Sequence, residues 1–334
     1  MSLFRIFGAG EWGLAVANHL ASSGSIVEIY IRDDKKIDFY KTYNSHKDLG
    51  INFNDNISFH NINMTCGAKA EKNVINIIAT SSSGFLEIIK DNIGYFKSCE
   101  SLSWITKGLD HVSGLLFHQI LDQMLSSEIH KCIISGPSFA KDLVNKKSIE
   151  VSIASTDNQL MDKFISAMGT EYFKLIPSKD IIGIEVSGVL KNISAILAGS
   201  LTANEFSNEY IDELILISQK EVQRISKLIG DSHSRYTVSD KEVSKTIDSP
   251  ACIGDLHLTC FYNTSRNRQL GLKLTKDCNV NKLITRIGTV EGYLSTVTLF
   301  NNKDIYGDGP IVNAANDILF NHLEPKKVLD SLFT

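Results

Sequence analysis

The sequence predicts an α/β, doubly wound N-terminal domain followed by a mostly α-helical C-terminal one, and three observations carry that reading. Up to about residue 180, short apolar runs alternate with helically spaced stretches, the pattern of a parallel sheet with helices packed on its faces. A G-x-G-x-x-G run sits at the first turn from strand to helix. Beyond that region the strand-like runs give way to long helical patterns.

Taken in order, Leu3–Phe7 is the first apolar strand. Trp12–Ser22 has helical periodicity, with Leu14, Ala17, Leu20 and Ala21 on one side. Gly24 stops that helix, and Ile26–Ile31 is the next strand. Val74–Ala79, Leu102–Ile105, Lys131–Ser135 and Glu150–Ala154 are further buried strands. Ile181–Leu201 is then a long helix. Tyr210–Ile229 is a second, amphipathic through Ile211, Leu214, Ile215, Val222, Ile225 and Ile229, with Gly230 where a C-cap belongs. Ser265–Leu274, Val280–Ile287 and Ile311–His322 also read as helices. The boundary falls at 180–190, giving domains 1–185 and 186–334. With only 5 prolines and no Pro/Gly-rich linker, the long helix itself is expected to join them.

Composition narrows the function. A chain of 334 residues exceeds the ~250–300 that one core supports. A net charge of −4 gives no global basic field for nucleic acid or an anionic membrane. Any anionic ligand must therefore meet a few local cations. No signal-peptide pattern opens the sequence, and no apolar run is read as reaching the ~20 residues of an integral membrane segment, so a cytoplasmic protein is expected. Six cysteines (Cys66, Cys99, Cys132, Cys252, Cys260, Cys278) lack C-x-x-C spacing and a nearby His pair. They argue against a metal or disulfide framework and for a reducing compartment.

The glycine run is Gly8-Ala9-Gly10-Glu11-Trp12-Gly13. Gly8 permits a tight turn, Gly10 lets backbone approach a pyrophosphate, and Gly13 allows close packing of helix on strand. The helix N-terminus adds free N–H groups and the positive end of its dipole. At the first strand–helix turn this is the fingerprint of a Rossmann-type domain holding NAD or NADP. The second strand ends Tyr30-Ile31-Arg32-Asp33-Asp34. Arg32 suits a 2′-phosphate or stacks on adenine, whereas Asp33 suits a free 2′-hydroxyl, so the choice of cofactor stays open here.

More of the chain then matches one family. Gly8–Gly13, Trp104–Leu109, Ile134–Lys141, Leu190-Lys191-Asn192, Gly254-Asp255-Leu256, Leu258-Thr259-Cys260, Ser265-Arg266-Asn267-Arg268 and Val290-Glu291-Gly292 occur in order and at matching spacing. In these segments the sequence resembles the bacterial NAD(P)-dependent glycerol-3-phosphate dehydrogenases over most of its length. The resemblance implies reversible reduction of dihydroxyacetone phosphate to sn-glycerol 3-phosphate, a small phosphorylated substrate, and a supply role in phospholipid synthesis. A homodimer is compatible with it. It implies that Lys191 is the general acid/base, with Lys107 as second active-site lysine and Asp255 as the carboxylate that orients the cluster. Burial and a second cation ease loss of a lysine proton. On the cofactor side it adds Glu11, Trp12, Arg32, Lys107, Ala140, Arg266, Thr289 and Glu291 to the three glycines. On the substrate side it implies Gly136, Ser138, Asn192, Ser265, Arg266 and Asn267 beside Lys107, Lys191 and Asp255.

The helix around Lys191 supports this independently. Ile184, Gly188, Lys191, Ala195 and Ala198 share one face, small except for Ile184 and Lys191, while Ile182, Val186, Val189, Ile193 and Ile196 form an apolar stripe. A lysine there is costly without a partner or a task.

Three stretches depart from the family pattern. Ala79-Thr80-Ser81-Ser82-Ser83-Gly84-Phe85 replaces a Val-Pro-Ser-type turn. Thr202–Gln223, with Asp212 and Glu213, replaces a Gly- and Asn-containing stretch and an arginine-bearing helix. Cys252-Ile253-Gly254 replaces Gly-Leu-Gly. Two alternatives stand beside the main reading. One is a related two-domain dehydrogenase for a hydroxy acid or another sugar phosphate, and the other is a non-catalytic nucleotide-binding sensor.

Overall fold

The computed structural model describes residues 2–65, 67–232, 235–237, 239–276 and 278–334. The chain divides into two compact units, Met1–Asp110 with Phe117–Ile181, and His111–Leu116 with Ile182–Thr334.

The first unit is built on an eight-stranded sheet. Its strands are β1 (Leu3–Phe7), β2 (Ile26–Ile31), β3 (Ile57–Asn61), β4 (Val74–Ile78), β5 (Ser101–Trp104), β6 (His130–Ser135), β7 (Ile149–Ser155) and β8 (Phe173–Ser178). They lie in the order β3-β2-β1-β4-β5-β6-β7-β8. The order reverses between β1 and β4, the switch point at which open α/β sheets take ligands beyond the carboxyl ends of their strands.

Neighbouring strands are parallel except β6 and β7, which run antiparallel. This departs from the all-parallel sheet that strand–helix alternation suggests. The link from β6 to β7 contains only the helix Ala140–Val144, 5 residues long. Such a helix rises about 7–8 Å, too little to return the chain along a strand of about 20 Å.

β3 and β8, which the sequence reading passes over, are the two edges of the sheet. Edge strands hydrogen-bond on one side only, so β3 tolerates Ser58, His60 and Asn61, and β8 tolerates Pro177.

Both faces of the central strand are buried. Phe4 packs on Phe164 on one side (ring centroids 5.8 Å apart), and Phe7 meets Phe96 (5.0 Å) and Tyr95 (5.8 Å) on the other. Arg5 lies in this otherwise apolar strand and is itself buried. It is directly opposite Glu28 in the β1–β2 register. Its guanidinium donates to Glu28 (2.6 Å), Glu71 (2.8 Å) and the Tyr95 hydroxyl (3.0 Å), which keeps a buried charge satisfied.

In the second unit the helix beginning at Ile181 runs to Ala203 and is followed by Asn208–Ser232. Gly230 lies inside the latter rather than capping it, and the helix continues to Ser232. Shorter helices follow, among them Asp240–Ile247, Asp255–Phe261, Arg266–Gly271, Val280–Ile287, Glu291–Asn301 and Pro310–Leu319. Ser265 is the N-cap of Arg266–Gly271, so this helix is shorter than its sequence pattern.

By length and hydropathy Ile181–Ala203 is sufficient to span a bilayer, which corrects the expectation that no run reaches that size. Its most apolar window is 94% buried, which is the environment that demands such a composition. Cys99, Cys132, Cys252, Cys260 and Cys278 are free thiols, and Cys66 lies outside the described residues.

Two glycines set how closely Arg266–Gly271 lies on the long helix. A Cβ on Gly199 would stand 2.5 Å from the Arg268 carbonyl oxygen, and one on Gly271 would collide with the Ile196 carbonyl. Gly271→Ala is therefore expected to destabilise the protein by about 1–3 kcal/mol. Urea unfolding checks this against Gly94→Ala, whose Cβ meets nothing within 4 Å. Equal midpoints for the two variants would mean the contact yields without cost.

Candidate active site

In the first unit the chain leaves β1 through Gly8 and enters the helix Glu11–Ser22 at its N-cap, Gly10. Gly8 has φ of +120°, and a Cβ there would lie 2.6 Å from the Ala79 carbonyl oxygen. A Cβ on Gly13 stands 2.9 Å from that of Ala79. These two glycines let the loop and helix close on the end of β4. Gly10 is different. A Cβ there would meet nothing within 4 Å, and no side chain caps the helix. The first-turn N–H groups thus face an open crook of backbone at the positive end of the helix dipole. The residues present fit a dinucleotide pyrophosphate. Glu11 is exposed, while Trp12 is half-buried with its indole against Phe173 (6.5 Å).

Just past β2, Arg32 is exposed and pairs with Glu87 at 2.6 Å. The Asp33 carboxylate caps the following helix, accepting from the Lys35 N–H (2.9 Å) and the Lys36 N–H (3.4 Å). Asp33 is therefore committed to backbone, and Arg32 is the side chain of the two that an exposed, exchangeable pair leaves available.

The departing loop after β4 keeps this geometry through a small residue, Ala79, against both glycines. Thr106 ties it down, its hydroxyl donating to the Thr80 carbonyl at 2.9 Å. Lys107 follows directly. Its Nζ donates to the Gly136 carbonyl at 2.6 Å, and the Ser138 hydroxyl donates to the same oxygen at 3.0 Å. Gly136 has φ of +155°, with Val151 Cα 2.9 Å from where a Cβ would stand. Lys107 and Ser138 thus converge on Gly136, with Ala140 two residues on from Ser138 at the start of its short helix.

In the second unit every residue from Ile182 to Leu201 is buried except Lys191. The two-stripe expectation for this helix is thus replaced by burial all round, with one opening. Lys191 Nζ donates to Asp255 Oδ1 at 2.8 Å, the side chains being 12% and 1% exposed. Asp255 is delivered by a π-helical turn, Pro250–Gly254, which contains the divergent Cys252-Ile253-Gly254 and leads straight into Asp255–Phe261.

Asn192 and Asn267 are buried and bonded together, the Asn267 amide donating to Asn192 Oδ1 at 2.9 Å. The carbonyl of that Asn267 side chain accepts from the Gly292 N–H at 2.8 Å. A Cβ on Gly292 would collide with the Asn192 carbonyl. These contacts lock Lys191's helix, Arg266's helix and the start of Glu291–Asn301 together. The Ser265 hydroxyl accepts from the Arg268 N–H at 3.1 Å as an N-cap. Arg266 is exposed, with Nη1 4.0 Å from a Cβ built on Gly288, next to the exposed Thr289.

Two residues to which the sequence reading assigns no role join this group. His111 contacts Glu291 Oε2 (3.3 Å) and Thr298 Oγ1 (3.1 Å) across a sequence separation of 180 and more, so no local pattern announces it. Arg268 is buried, bonding Asn263 (2.8 Å) and Thr202 (3.1 Å).

Comparison with known proteins identifies the family. The chain matches the family model described as NAD-dependent glycerol-3-phosphate dehydrogenase N-terminus over residues 4–161 and the corresponding C-terminus model over 180–330. It is 30% identical over 336 residues to the glycerol-3-phosphate dehydrogenase (NAD(P)+) of Vesicomyosocius okutanii, covering 98% of this chain and 96% of that one. The enzyme of the same name from Francisella tularensis subsp. novicida is 29% identical over 345 residues, with the same coverage. In fold it is similar to the glycerol-3-phosphate dehydrogenase of Coxiella burnetii, with a TM-score of 0.83 at 24% identity over 99% of this chain and 98% of that one. The chain belongs to the NAD-dependent glycerol-3-phosphate dehydrogenase family.

Proposed function

We propose that this chain is an NAD(P)-dependent oxidoreductase that interconverts dihydroxyacetone phosphate and sn-glycerol 3-phosphate. The observation that carries the reading is the Lys191–Asp255 pair, placed at the one opening of an otherwise buried helix.

Reducing the C2 ketone adds a hydride to carbon and a proton to oxygen. The bound dinucleotide supplies the hydride. Lys191 Nζ delivers the proton. With one ammonium hydrogen given to Asp255, two remain for substrate oxygen. Asp255 aims Nζ and balances its charge. Arg266 offers a planar fork to the substrate phosphate, beside Asn267 and Ser265. Asn192 fixes the turn of helix next to Lys191. Lys107, anchored on Gly136 beside Ser138, is the second cation for the substrate. The pyrophosphate is held at Gly8, Gly10 and Gly13 with the amides of Glu11 and Trp12. Arg32, Ala140, Thr289 and Glu291 complete the cofactor contacts. In oxidation Lys191 takes the proton back.

The product is a precursor for phospholipid synthesis, and we place the enzyme in the cytoplasm. Burial pushes the Cys99 and Cys260 thiols up to about 12, and such inert free thiols suit a reducing compartment.

NADH or NADPH absorbance is expected to fall only when dihydroxyacetone phosphate is present, and Lys191→Ala should slow that loss by about 10²–10⁴-fold. Cofactor binding, read by fluorescence, should survive in this variant. A folded protein that binds cofactor and never oxidises it would favour the sensor reading. Arg32→Ala is expected to raise KM for NADPH by about ten-fold or more while sparing that for NADH, and equal changes for both would separate Arg32 from the 2′-phosphate. Asp255→Ala strands a mostly buried ammonium and should cost about 3–5 kcal/mol. Denaturant midpoints test this, because Lys191→Met in the same background should recover part of the loss, and no recovery would refute the charge argument.

A further inference from the structure

We propose that His111 is a positioning residue that fixes the carboxylate of Glu291 for the cofactor. This rests on the reading of Glu291 as a cofactor contact. His111 opens the segment His111–Leu116, which packs with the second unit although the chain on both sides belongs to the first. The imidazole spans one helix, Glu291–Asn301, with Nδ1 3.1 Å from Thr298 Oγ1 and Nε2 3.3 Å from Glu291 Oε2.

The hydrogen-bond inventory orients the ring. Thr298 gives its own hydroxyl hydrogen to the Leu294 carbonyl at 2.8 Å, so its oxygen accepts from Nδ1–H. That bond turns Nε2 toward Glu291.

The backbone under the ring is held as firmly. The buried Tyr306 hydroxyl donates to the Gly114 carbonyl at 2.6 Å. Gly114 has φ of +72°, with Asn302 Nδ2 2.7 Å from where a Cβ would stand. The segment is therefore pinned within its own few residues, and His111 cannot drift without breaking those contacts.

Glu291 needs such a partner because of where it sits. It is the first residue of its helix, and its side chain is 26% exposed. A carboxylate in a first turn is drawn to the helix's own free N–H groups. The contact with His111 gives it one direction instead, before the cofactor arrives. Preorganisation of this kind shows in affinity for the ligand rather than in the chemical step.

Steady-state kinetics of the full chain test this. His111→Ala is expected to raise KM for NAD(P)H by about ten-fold and to leave kcat within about two-fold. His111→Gln, whose amide nitrogen reaches the same carboxylate, should recover most of the loss, and Thr298→Val should show part of it. In a Glu291→Ala background, His111→Ala should add nothing further, since two residues acting through one group are not additive. Should His111→Ala fold poorly, Thr298→Val decides in its place, since an unchanged KM there while Glu291→Ala raises it overturns the bridge. An unchanged KM in His111→Ala while Glu291→Ala raises it overturns the role of His111. A Glu291→Ala variant with unchanged KM overturns the reading of Glu291 on which the proposal stands.

Discussion

An ammonium on a helix enclosed on every side sets the terms for the second unit. Between Ile181 and Leu201 only Lys191 escapes full burial, and withdrawing its charge from water costs several kcal/mol unless a counter-charge stands at the right place. The chain meets that demand with the π-helical turn Pro250–Gly254, which departs from regular helix spacing immediately before Asp255. Enclosure has a second consequence. Neighbouring helices must approach the buried one backbone to backbone, and Gly199, Gly271 and Gly292 are the places where any side chain would meet a carbonyl. Those approaches also put Asn267 within reach of Asn192 and of the Gly292 amide. The site's framework follows from housing one charge in an apolar helix.

Three arginines show how burial sorts scaffold from chemistry. Arg5 is buried in the central strand and fully engaged by Glu28, Glu71 and Tyr95, so its charge is spent inside the fold. Arg268 is buried too, committed to Asn263 and Thr202. Arg266 lies two positions from Arg268 and faces outward, with its fork available to a phosphate. Residue type is identical in all three, and the surroundings decide the role.

Much of this was legible in the sequence where the signal is local. The glycine run marks the turn out of β1, where Gly8 and Gly13 make room for Ala79 and Gly10 leaves the start of the helix open. The six interior strands stand out because burial on both faces makes them rich in apolar residues. The edges β3 and β8 escape notice for the complementary reason, since half-buried strands keep polar residues and a proline. Lys191 is legible because an apolar helix makes a lone lysine conspicuous. His111 is not, for its partner is 180 residues away and its neighbours in sequence carry no periodic pattern. Asp33 was ambiguous in the sequence because an acid after a strand serves equally as a ribose partner or a helix cap, and only the Lys35 and Lys36 amides separate the two.

The divergent helix after residue 202 acquires a purpose in the same terms. Its Glu221 is buried, and burial raises its carboxyl above the usual range while the Ile311 N–H donates to it at 2.7 Å. Glu221 therefore caps the helix Pro310–Leu319 from a distance, in place of a local cap that Gly309 lacks. One turn further along, Arg224 donates to the Tyr306 carbonyl at 2.8 Å, and the hydroxyl of that same tyrosine holds Gly114. The chain of contacts runs from the divergent helix through Tyr306 to the segment that carries His111. The divergent helix and the segment carrying His111 are thus mechanically joined, and the link ends at Glu291 rather than at Lys191. These contacts bear on how Glu291 is held, and none of them touches the Lys191–Asp255 pair.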